Sequence, residues 1–103
     1  MLAYKNIPVG TILYNIENRI PHFFLVVEKM GFCRAFKIVE LFYDVKDGIA
    51  LPKKEDGDWK RIKQTSPVIV KCPKYLDGSD SFMHYKTKMT VLQEPERGLK
   101  VLL

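Results

Sequence analysis

The sequence predicts a mainly β protein: a small antiparallel, partly open barrel with little helix, formed as one domain over residues 1–103. Three observations carry this. The window His22–Tyr43, HFFLVVEKMGFCRAFKIVELFY, is rich in aromatic and β-branched residues, which pack well on a pleated surface. Several shorter apolar runs follow at intervals set by Gly, Pro and Asp turn signals, the spacing of a small sheet that curls on itself. At 103 residues the chain buries roughly two-thirds of its unfolded surface, enough for a core without staples.

Asn6–Gly10 is an extended lead-in and turn, because Pro8 restricts Ile7 to extended backbone. Thr11–Asn15 is a first short strand, and the polar Ile16–Pro21 reads as a loop. His22–Tyr43 then reads as two long strands joined through Gly31, with Gly31 supplying a positive φ. Its second half admits another reading. Arg34, Lys37, Glu40 and Asp44 share one helical arc and Ala35, Ile38, Val39 and Phe42 another, so an α+β fold with a helix over about 33–46 is the alternative. As a strand it turns Phe36, Ile38 and Phe42 inward and needs a bulge to be clean.

Asp44–Gly48 has turn chemistry, and Ile49–Pro52 is a brief apolar return. The polar run Lys53–Asp58 reads as a surface loop with Gly57 at positive φ, the most mobile internal segment expected. Trp59–Ser66 leads into a strand at Pro67–Cys72, bracketed by Pro67 and Pro73. Asp77-Gly78 marks a turn, Phe82–Tyr85 and Lys88–Leu92 are two further strands, and Gln93–Gly98 is polar. The apolar tail Leu99–Leu103 either docks on its own barrel or completes a neighbour's sheet, leaving the oligomeric state open.

Composition bounds the function. A hydrophobic content of 47% with 28% charged residues is ordinary for a globular chain. Met1–Gly10 has no signal-peptide pattern, and Ile20–Val27 falls far short of the roughly 20 residues that span a bilayer, so a cytoplasmic protein without membrane contact is expected. Cys33 and Cys72 lack close partner spacing and are expected as reduced thiols; a disulfide between them depends on a Cα separation that sequence does not supply. The net charge is +5, with six basic and five acidic residues in 1–51 against eleven and seven in 52–103. Trp59–Tyr75 holds Lys60, Arg61, Lys63, Lys71 and Lys74 without a carboxylate.

The runs V-G-T-I-L-Y (Val9–Tyr14), F-F-L-V-V-E-K-M-G (Phe23–Gly31), A-F-K-I-V-E-L (Ala35–Leu41) and W-K-R-I (Trp59–Ile62) resemble small phage- and plasmid-encoded proteins with Src-homology-3-like barrels. The family carries an aromatic, Gln- and Asn-rich stretch where this chain has Ile16–Ile20. The resemblance implies a mobile-element origin and nothing about catalysis.

Three chemistries are open to these residue types. His22, His84, Cys33 and Cys72 make a zinc set in number only, without closely spaced pairs, so no metal or other cofactor is expected. Without a nucleophile elbow, a Gly-rich phosphate loop or regularly spaced carboxylates, no catalytic residue is assigned and the chain is not expected to be an enzyme. Binding remains. The candidate partner-binding residues are Trp59, Lys60, Arg61, Lys63, Lys71, Lys74 and Tyr75, with Tyr4, Tyr85 and the tail as further anchors. The expected function is a non-catalytic accessory protein of viral type that binds a host protein or nucleoprotein complex. It would inhibit a host defence, such as a CRISPR nuclease complex, or a transcription machine, the inhibitory role following from the implied origin. The alternative is a nucleic-acid-binding module using 59–75, its cations on phosphates and its aromatics under bases. A solvated basic face with Trp59 partly in the core accounts for the same residues without function.

Overall fold

A computed structural model describes residues 2–63 and 66–101. In chain order the strands are β1 (Ile12–Glu17), β2 (Ile20–Met30), β3 (Ala35–Leu41), β4 (Tyr43–Lys46), β5 (Ile49–Pro52), β6 (Lys54–Glu55), β7 (Asp58–Trp59), β8 (Val68–Lys71), β9 (Ser81–His84), β10 (Thr87–Val91) and β11 (Leu99–Lys100). Among the described residues the only helical turns are short 3₁₀ pieces. Six strands form an antiparallel sheet in the order β8-β3-β2-β1-β10-β9, three form β11-β5-β4, and β6 pairs with β7.

The six-stranded sheet is curled into a partly open barrel. Flat, the four strand spacings from β3 to β9 would separate them by about 19 Å, yet the Phe36 and Phe82 rings lie 6.3 Å apart. Inside the curl pack Leu13, Val26, Phe36, Ile38, Val70, Phe82, Met89 and Val91. The N-terminal segment covers this core: the Leu2 carbonyl accepts from the Leu76 amide at 2.8 Å, and the Tyr4 hydroxyl donates to the Ala35 carbonyl at 2.9 Å. Outside the curl, Ile12, Phe23, Leu25, Val39, Leu41 and Leu92 pack with Ala50 of the three-stranded sheet.

Burial on both faces explains the helical spacing in residues 33–46. Along β3, Ala35, Phe36, Ile38, Val39 and Leu41 are buried and Lys37 and Glu40 are not, a near-three repeat made by a strand covered twice. No helix forms there; β3 and β4 do, which corrects the α+β alternative. The irregularity lies in β2, not β3: the register shifts between Val26 and Glu28, leaving Val27 as the extra residue. The shift places Lys29 beside Phe36, where its ammonium sits 4.4 Å from the centre of the Tyr4 ring. Without it Glu28 would point into the core.

Turn chemistry departs from expectation at three places. Gly31 begins a 3₁₀ turn, and the positive φ falls on Arg34 at 48°. Ile16–Pro21 is no loop: β1 and β2 run through it to a two-residue turn at Asn18-Arg19, both at positive φ as a tight hairpin requires. Pro21 is tolerated because β3 pairs with β2 only from Phe23 onward. Lys53–Asp58 is largely a hairpin, β6 to β7, turning at Asp56-Gly57 with φ 53° and 85°. The tail docks on its own chain: Leu99 and Lys100 pair with Ala50 and Ile49, and the Val101 amide donates to Gly48 at 2.8 Å. The Gln64–Thr65 and Leu102–Leu103 parts of the sequence expectations lie outside the described residues.

Candidate interaction surface

The basic segment borders the outer side of β3. Arg61 bridges to Leu41, the Ile62 amide donates to Glu40 at 2.9 Å, and β8 pairs from Val68↔Ile38 to Lys71↔Ala35. Leu41 and Ala35 are six residues apart on β3, about 20 Å at about 3.3 Å per residue. The candidate residues therefore fall into two groups at opposite ends of one edge.

Trp59, Lys60, Arg61 and Lys63 come together in an open cleft of about 660 Å³, shared with Phe42 and the carboxylates Glu55, Asp56 and Asp58. The acidic residues arrive on the β6–β7 hairpin. Lys60 Nζ is 3.8 Å from Glu55 and 5.1 Å from the Phe42 ring centre. Lys54 lies 4.6 Å from the centre of the Trp59 ring and pairs with Glu96 at 3.2 Å. Exposed pairs of this kind contribute at most about 1 kcal/mol each, but they occupy one face of Trp59 and dilute the positive field. Trp59 is half-buried against the outer core.

Lys71, Lys74 and Tyr75 form the second group. Lys74 sits 5.6 Å from the Tyr75 ring centre, and Tyr75, 54% exposed, bridges to Ala3. Among the described residues Arg61, Lys63, Lys71 and Lys74 make no ion pair. Of the further anchors, Tyr85 is 90% exposed at the β9–β10 turn, whereas Tyr4 is buried in the inner core and offers a partner nothing. Phe32, 95% exposed at the β2–β3 turn, was not singled out by sequence, since one aromatic beside Gly31 looks like any other core candidate.

Register also assembles groups that sequence separation conceals. His22 Nδ1 lies 3.0 Å from Glu40 Oε2, 18 residues away, with Phe24 stacked on the imidazole at 6.5 Å. A histidine held by a carboxylate is the start of a general base, but a nucleophile must lie within reach of it. Cys72 is not such a nucleophile: it is buried in the inner core, where desolvation pushes its thiol up to about 11. Both thiols are free. Among the described residues no cluster of three or more His, Cys, Asp or Glu side chains could hold a metal ion, and no helix is long and apolar enough to cross a membrane.

Compared with family models, curated proteins and solved structures, the chain matches none of them.

Proposed function

We propose that this chain is a non-catalytic binding protein whose β3–β8 edge and adjoining cleft engage a partner protein. In the mobile-element setting that the family resemblance implies, the partner is a component of a host defence or transcription machine, and binding inhibits it. The observation that carries the reading is the mixture in the cleft: Glu55, Asp56 and Asp58 beside Lys60, Arg61 and Lys63, with Trp59 and Phe42 between. A phosphate backbone favours uninterrupted cations, while alternating charges around aromatic anchors suit a protein surface. Nucleic-acid binding is the second reading, favoured by Lys71 and Lys74 beside the exposed Tyr75 and by Arg61 and Lys63 at the other end of the edge, none of which makes an ion pair among the described residues.

Affinity capture from a host lysate, with and without nuclease, separates the two. The expected result is a defined protein retained after nuclease and lost from the Lys60→Glu/Arg61→Glu/Lys63→Glu variant. Recovery of nucleic acid alone, weakening steeply as salt rises, would replace this reading with the second.

A further inference from the structure

We infer that the outer edge of β8 accepts one short, acidic, extended segment of a partner protein as an added β-strand. This rests on the protein-partner reading and supplies its mode of contact. The Cys72 amide donates to the Arg34 carbonyl at 2.8 Å. Hydrogen-bonding direction alternates along an antiparallel strand, so Cys72, Val70 and Val68 turn their amides and carbonyls to β3, and Ile69 and Lys71 turn theirs outward. β8 is the last strand of its sheet, so among the described residues no strand covers that outward row.

The next outward positions in each direction are Pro67 and Pro73, which have no N–H. Their placement confines pairing to two donors, Ile69 and Lys71. Indefinite sheet extension is blocked, while a segment of a few residues is accepted. Two outward donors spaced i, i+2 match the repeat of another extended chain, about 6.6 Å. Val68 and Ile69, 49% and 57% exposed, offer it apolar contact.

Charge complementarity fixes the occupant's chemistry. Arg34 and Lys71 are exposed at one end of the edge, Lys37 lies opposite Ile69, and Lys74 follows. None of these four pairs with a carboxylate among the described residues. Carboxylates on alternate positions of an added strand would meet Lys71 and Lys37, which share one face of the sheet with Ile69, whereas aliphatic Val68 and Ile69 have nothing to give a phosphate.

Selection of a displayed random-peptide library on the full chain tests this. The enriched peptides should be acidic, and a synthetic copy of one should slow hydrogen exchange at the Ile69 and Lys71 amides. Ile69→Pro removes an outward amide without touching the β3 ladder and should weaken that peptide at least tenfold. Ile69→Thr, which keeps the amide, should bind within about threefold of the wild type, and amide spectra of both variants check the fold. Peptides that bind Ile69→Pro as well as wild type, an absence of acidic enrichment, or unchanged exchange at Ile69 and Lys71 would each overturn the inference. A lysate protein lost on the Lys60/Arg61/Lys63 reversal but indifferent to Ile69→Pro would leave the protein-partner reading standing and remove strand addition alone.

Discussion

Asp47, Asp56, Asn18, Arg19 and Arg34 all hold positive φ, and they differ in how visible this was. Asp followed by Gly announces a tight turn because both residues tolerate the left-handed region. Asn18-Arg19 and Arg34 do not, since arginine is taken into that region by the strands it joins. Cys72 shows the same dependence on surroundings. Its thiol is raised to about 11 from an ordinary value near 9, chiefly by burial, with Arg34 and Lys29 pulling weakly the other way. The thiolate is the reactive form, so at pH 8 an alkylating reagent should label half-exposed Cys33 once and reach Cys72 only after denaturation. Two fast adducts, read by mass spectrometry, would contradict the burial. Below about pH 9 folded and unfolded chains both keep this proton; from there to about pH 11 the unfolded chain releases it first, so rising pH erodes stability across that window.

At the scale of the element, β11 pairs with β5 beyond a close approach at Gly98. Gly98 has φ 71°, and a Cβ there would meet the Ala50 carbonyl oxygen and the Leu51 and Ile49 side chains. Gly98→Ala should therefore lift β11 from β5 and cost roughly 1–3 kcal/mol. The readouts are a lower urea midpoint and faster exchange of the Val101 amide, and an unchanged midpoint would show that the tail contributes little. The tail's apolar residues were legible as needing cover, but its attachment to β5 was not: two-residue pairing leaves no periodicity to read. β3 is the opposite case. Its residue types favoured a strand, while its spacing imitated a helix because a second sheet covers its far side.

Over the whole molecule, two cores share the central strands β1, β2 and β3 as a common wall. Phe36 is fully buried in the inner one, 4.8 Å from the Tyr4 ring and 6.3 Å from that of Phe82. Phe36→Ala should cost about 3–5 kcal/mol, a large share of the roughly 5–15 kcal/mol that holds a domain together. Urea unfolding measures it, and a loss under about 1 kcal/mol would mean that the curl does not close over this residue. Charge is distributed by the same architecture. Sequence shows a carboxylate-free basic run, whereas the β6–β7 hairpin returns three carboxylates to its first half and leaves its second half without an ion pair among the described residues.

By itself the sequence determined the β class, the positions of most strands, the turn at Asp47-Gly48 and the basic run from Trp59 to Tyr75, because side-chain type and turn chemistry act over a few residues. Tertiary structure alone decided that β3 is covered on both faces, that Tyr4 is core while Phe32 stands in solvent, that His22 meets Glu40, and that the candidate residues divide between a mixed-charge cleft and an open strand edge. Those outcomes depend on register and sheet order, which are set by pairings between distant parts of the chain and leave no local mark.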